Sequence, residues 1–191
     1  PPASPSSVAA ASPNAPFIEQ LYRDGITRGT TATTFSPNDT VPREQMAAFI
    51  VRLLRGPDFH RDGESRFVDV KNPDFVGYIE ELADMGITRG CTPNEFCPGD
   101  MVPRDQMAAF LMRALHPGPD PEARGTIGDL EPGNSLNGRV EQAVEEGIME
   151  ACTGTILIDP CTNAGSRYFD ETGKTVSGDV LDYWDRSGGL Q

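Results

Sequence analysis

At 191 residues, with 20 glycines and 17 prolines, the chain is long enough for one domain of several lobes and is rich in turns. Its formal net charge of −13 leaves no basic footprint for nucleic acid or an anionic lipid surface. Hydrophobic residues make up 37%, enough for a core but not a rich one, and no apolar run approaches the roughly 18 residues that a membrane-spanning helix needs.

Residues 1–16 are rich in Pro, Ala and Ser and show no periodicity, which predicts a linker or an arm of the kind exposed once a leader has been removed. A short helix is predicted over 17–24, with Ile18, Leu21 and Tyr22 on one face. Gly25 ends it in the left-handed conformation, and Ile26 packs back on the helix. In the following loop Phe35 is a core plug, and Pro37 with Asn38 makes a turn. A second helix places Met46, Phe49, Ile50 and Leu53 at i, i+3, i+4 and i+7, the spacing of a core face.

Residues 56–74 join this unit to the next and contain Phe67-Val68-Asp69-Val70. A helix over 75–85 presents Val76, Ile79, Leu82 and Ala83 and ends at Gly86. From there residues 86–115 repeat residues 25–54 at an offset of 61 without a gap, and 19 of 30 positions are identical. Met107, Phe110, Leu111 and Ala114 restate the core face of the second helix. A third, degraded copy follows: Ile127-Gly128-Asp129-Leu130, then a helix over 139–146 with Val140, Ala143 and Val144, then Gly147. An insertion separates these from Thr175-Val176 and a last helix that is capped by Ser177 and carries Val180, Leu181, Tyr183 and Trp184. A period near 60 is too long for most solenoids, so each copy is a supersecondary unit that cannot bury its apolar face alone.

The four cysteines form two local pairs, Cys91 with Cys97 and Cys152 with Cys161. The first copy has Thr30 and Ser36 where the second has Cys91 and Cys97. The two are absent together, as a disulfide predicts and two independent buried thiols do not. Two disulfides imply an oxidising, extracytoplasmic compartment. The spacings are wider than those of zinc motifs, and His60 and His116 sit in no matching pattern, so neither a metal nor another cofactor is expected. The acidic loop around Asp170 and Glu171 has no calcium-ligand spacing.

Arg43 and Arg104 fall in the first turn of their helices, directly after Pro42 and Pro103. A cation there opposes the helix dipole at a cost of about 0.3–1 kcal/mol when exposed. Together with the dipole it makes an anion site suited to a carboxylate or phosphate. The plainer alternative is that Glu44 and Asp105 neutralise the two arginines at the surface. Gly29 and Gly90 permit either close approach of a ligand or a turn. No nucleophile–base pair or phosphate loop is present, so the chain is not expected to be an enzyme. Two of its many carboxylates could converge as a glycosidase pair, but no motif supports that.

The order of these motifs, an apolar-x-Asp-Val element, a helix, Gly-Ile-x-x-Gly, Phe-x-Pro and an Arg-x-Gln-Met-Ala-Ala helix, resembles the S-layer homology domain. The resemblance covers roughly residues 17–186 and is strongest in the first two copies; the cysteine-containing form of copy 2 resembles an actinobacterial variant. It implies a mostly α fold of six helices with long loops. Three repeats would form a three-lobed pseudo-trimer around a central three-helix bundle: 17–55 without the leading element, 67–116, and a degenerate 127–186, preceded by the arm 1–16. It also implies grooves between lobes that bind secondary cell-wall polysaccharide, often through a pyruvylated sugar. Arg43 and Arg104 match the family's arginine at the start of the second helix, with proline in place of the usual threonine. Gly29 and Gly90 match the glycine that faces the ligand, and Asp69 the aspartate before the first helix. The third copy departs at both points, with Gly178 and Ala151. The expected function is a non-catalytic, secreted surface protein that holds wall polysaccharide. The alternative is a self-assembling subunit of an S-layer or filament, with the arm or the third repeat docking on a neighbouring copy.

Overall fold

The computed structural model describes residues 14–149, except 32 and 129, together with the strand residues 168–169 and 175–176. The chain is mostly helical. Its helices are α1 (Ala15–Arg23), α2 (Arg43–Arg55), α3 (Pro73–Asp84), α4 (Arg104–Leu115) and α5 (Asn137–Glu145), and a two-residue antiparallel ladder pairs β1 (Tyr168–Phe169) with β2 (Thr175–Val176). The sixth predicted helix and the predicted pairing of Cys152 with Cys161 lie outside the described residues.

Local chemistry sets the helix ends. α1 and α3 each begin two residues before the predicted start, because Pro16 and Pro73 sit in the first turn, where a missing N–H is no loss. The Asn72 side chain caps α3 by accepting the Asp74 N–H at 3.1 Å. Gly25, Gly86 and Gly147 close the first helix of each copy at φ 70°, 71° and 71°. After each glycine the isoleucine N–H reaches back to the carbonyl of Leu21, Leu82 or Ala143 at 2.9, 3.0 and 2.9 Å. This C-cap is the one the glycine spacing predicts.

The packing differs from the predicted faces in one respect. The buried face of α2 is Met46, Ala47, Ala48, Ile50 and Val51, whereas Leu53 is 60% exposed. In α4, Phe110 is buried as predicted, but Ala108 and Met112 take the deepest positions. The contact face is therefore turned towards the alanine pairs 47–48 and 108–109. Small residues let a neighbouring helix approach closely, and that outweighs the larger but more peripheral Leu53. Leu21, the counterpart of the fully buried Leu82, is likewise 39% exposed.

The chain divides into two compact units, one of Pro1–Val102 with Arg113–Gly118, the other of Pro103–Met112 with Pro119–Gln191. These do not follow the sequence repeats. In the first unit, α2 of copy 1 packs against α3 of copy 2. In the second, Ala108 and Met112 of α4 share a core with Val140 and Ala143 of α5, joined by Ile127, Leu130 and Met149. Each second helix thus packs on the first helix of the next copy. Within a copy the tie is an arginine: Arg52 donates to the Ile26 carbonyl at 3.3 Å and Arg113 to the Ile87 carbonyl at 3.1 Å.

The connectors are held by buried carboxylates. Glu80 on α3 accepts the Arg66 N–H at 2.8 Å, the Ser65 hydroxyl at 3.0 Å and the Arg66 Nε at 2.8 Å. Glu141 on α5 accepts the Arg124 and Thr126 N–H groups at 2.6 and 2.7 Å. The connector crosses each helix so closely that a Cβ on Gly77 would overlap the Arg61 carbonyl, and one on Gly138 the Pro121 carbonyl.

Candidate functional site

Two of the five predicted site residues, Arg43 and Asp69, engage Phe96, and a third, Gly90, lies against Phe67, whose ring neighbours that of Phe96. Phe96 is fully buried, which makes it the plug expected of its loop; its counterpart Phe35 is only half-buried. Asp69 lies between the buried Phe67 and Val70, and its carboxylate accepts the N–H groups of Phe96 and Cys97 at 2.9 and 2.7 Å. Cys97 sits at φ 58°, a left-handed conformation that these two bonds hold in place. The disulfide to Cys91, with a Cα–Cα distance of 5.9 Å, closes the same loop. In copy 1 the corresponding Thr30 and Ser36 hydroxyls lie 2.9 Å apart, and Ser36 has φ 54°. A hydrogen bond there stands in for the covalent one.

Arg43 is 4% exposed. Its Nε donates to the Phe96 carbonyl at 2.9 Å, and its guanidinium carbon lies 5.0 Å from the centre of the Phe96 ring. Burial lowers its pKa from the ordinary arginine range, and the charges of Asp100 and Asp69 work against that. Burial also pushes the neighbouring Glu44 carboxyl up. The first N–H groups of α2 are occupied, since Arg43 N–H donates to the Asp100 carbonyl at 2.9 Å and Glu44 N–H to the Pro98 carbonyl at 3.1 Å. A short bridge between Pro42 and Met101 runs beside them. The sequence stretches before α2 and α4 are thus laid against each other.

Gly90 has φ 83°; a Cβ there would overlap the Glu95 and Thr92 carbonyl oxygens and come 2.9 Å from Phe67 Cε1. Phe67 and Phe96 have ring centroids 5.7 Å apart. Gly29 sits in the equivalent turn at φ 74°, with the carbonyls of Thr31 and Thr34 in the place of its missing Cβ. The turn alone therefore requires both glycines. Arg104 is half-buried in the second unit at the start of α4. Beside it the Asp105 carboxylate accepts the Gln106 N–H at 2.8 Å and the Asn134 side-chain amide at 3.1 Å.

Arg52, Arg113, Glu80 and Glu141 position this framework, and no motif of the sequence singles them out one by one. Comparing the copies does. Arg52 and Arg113 interrupt the apolar runs of their helices at the same repeat position, and Glu19, Glu80 and Glu141 recur at the offset of 61.

Residues 8–47 match the S-layer homology domain. An endoglucanase of Bacillus sp. (strain KSM-635) is 40% identical over 100 residues, which is 52% of this chain and 10% of the enzyme. An amylopullulanase of Thermoanaerobacterium thermosulfurigenes is 40% identical over 98 residues, 51% of this chain and 5% of that protein. A cell surface protein of Thermoanaerobacter kivui is 32% identical over 107 residues, 54% of this chain and 14% of that one. The matched region thus spans about a tenth or less of the two enzymes. No helix among the described residues is long and apolar enough to cross a membrane. The chain carries an S-layer homology domain and is a protein of the cell surface or cell wall.

Proposed function

We propose that the chain is a non-catalytic extracellular protein that binds cell-wall polysaccharide through its S-layer homology repeats. The observation that carries this reading is the domain match, and the engagement of both Arg43 and Asp69 with Phe96 is consistent with it. Within it the arginines divide their roles. Arg43 is buried and engaged with a backbone carbonyl, so it shapes the loop that a glycan would meet. Arg104, half-buried at a helix N-terminus, is the better placed to meet a carboxylate such as that of a pyruvylated sugar.

One observation favours a second reading, in which copies assemble. On α1, Phe17 is 71% exposed with Leu21, 39% exposed, beside it on the same face. A second helix from the third repeat of a neighbouring copy would cover that face and extend head to tail.

Sedimentation with purified cell walls tests the leading reading. The chain is expected to pellet with walls, and Arg104→Ala to lose most of that binding while keeping its helical circular dichroism. A chain that stays in the supernatant, with light scattering showing polymers, would sink the anchor and leave assembly. Arg43→Ala serves as the structural control: it strands the Phe96 carbonyl and is expected to cost about 2–3 kcal/mol in urea unfolding.

A further inference from the structure

The first unit holds a cleft of about 680 Å³ that none of Arg43, Arg104, Gly29, Gly90 or Asp69 lines. Three half-buried aromatic rings form its floor, Phe59 from the connector and Phe75 and Tyr78 from α3. Phe59 and Tyr78 are tilted by 43° with centroids 5.8 Å apart. Tyr78 is fixed from behind: its hydroxyl accepts the Arg52 Nε at 3.2 Å, and the Arg52 guanidinium carbon lies 4.8 Å from its ring centre. The exposed polar groups of the cleft include Arg28, Asp58 and Asp74. Arg28 has no ion pair or hydrogen bond among the described residues.

The second unit shows the same position closed. Sixty-one residues after Tyr78 stands Arg139, and after Phe75 stands Leu136. Arg139 is 2% exposed and donates to Asp120 Oδ1 at 2.9 Å and to the Pro119 carbonyl at 3.1 Å. There the chain fills its own helix face with a buried cation. In the first unit the face is open and floored with aromatics, although nothing in the repeat demands it.

We infer that this cleft binds a neutral pyranose, a hexose or N-acetylhexosamine unit. The C–H face of such a ring packs on an aromatic floor, its hydroxyls donate to Asp58 and Asp74, and they accept from Arg28. Three carboxylates line the cleft, Asp58, Asp62 and Asp74, while Arg52, Arg61 and His60 are engaged with Tyr78, with Glu81 and Asp84, and with Asp62, so the charge balance disfavours a phosphate or an acidic sugar. The site is separate from the Phe96 region and does not depend on the wall-binding reading.

The test is a titration of the full isotope-labelled chain with methyl β-glucopyranoside and with N-acetylglucosamine, following backbone amides by NMR. Saturable shifts are expected at residues 58–63 and 73–78 with at least one of the sugars. Phe59→Ala and Arg28→Ala are each expected to weaken that binding about tenfold, or about 1.4 kcal/mol. Arg28 is exposed, so its variant keeps the test independent of folding. No shift at these residues with either sugar, or equal affinity in both variants, overturns the site. A chain that binds these sugars in the cleft yet fails to pellet with walls overturns the wall-binding reading alone.

Discussion

Glu141 shows how much a single buried carboxylate can hold. It gathers the Arg124 and Thr126 N–H groups onto α5 and so fixes the path of the second connector. The backbone N–H of Arg124, foremost, keeps its pKa below the ordinary glutamate value, burial works against this, and the Thr126 N–H adds to the first effect. The sign follows from linkage: a group whose folded pKa is lowered contributes stability above its unfolded value of about 4.3, and that contribution is lost as pH falls through the folded value. Asp84, held down by Arg61 and Arg66, and Glu145, held down by Arg124, act in the same direction. The melting temperature is therefore expected to be flat near neutrality and to drop in acid. Glu141→Gln should melt lower at neutral pH and fall less steeply below about pH 4. Parallel pH–melting curves for the two proteins would refute the assignment.

At the scale of the element, the two Phe-x-Pro loops are one fold held in two ways. Both turn through the same bond, Thr30 N–H to the Thr34 carbonyl at 2.7 Å and Cys91 N–H to the Glu95 carbonyl at 2.9 Å. Both place the residue after phenylalanine at positive φ. The Thr30–Ser36 contact therefore has the geometry of the Cys91–Cys97 bridge, and the double variant Thr30→Cys/Ser36→Cys should form a second disulfide unaided. The chain-entropy model gives about 2 kcal/mol for so short a loop. Thiol titration and melting with and without reductant would check it; two titratable thiols in the oxidised protein would mean the first loop is more open. The pairing of Cys91 with Cys97 was legible from the joint replacement in copy 1. The left-handed backbone at Cys97 and the Asp69 bonds that hold it were not, because those bonds join residues on different elements.

On the scale of the whole molecule, helix pairs cross the boundaries of the sequence repeat. α2 needs α3, and α4 needs α5, although each pair is drawn from two copies. A chain cut after residue 118 keeps copies 1 and 2 intact as sequence but strips α5 from Ala108 and Met112, both fully buried. It is expected to melt well below a chain cut after residue 149 and to bind a hydrophobic dye. Equal melting of the two would show that copy 2 is complete without α5.

The sequence by itself determined the five described helices, their glycine ends, the repeat, the disulfide of copy 2 and the S-layer homology match of residues 8–47, since each depends on local spacing or on two stretches being alike. Only the tertiary structure decided which faces are buried and what the arginines do. Alanines at 47–48 and 108–109 outcompete Leu53 because close approach of two helices is a property of both, and one helix's pattern cannot reveal it. Arg43 reads as a surface cation at a helix start, yet it is buried because a loop 53 residues away brings it a carbonyl and an aromatic face. The aromatic cleft of the first unit was hidden for the same reason: Phe59 and Tyr78 are far apart in the chain and become neighbours only when the connector folds across α3.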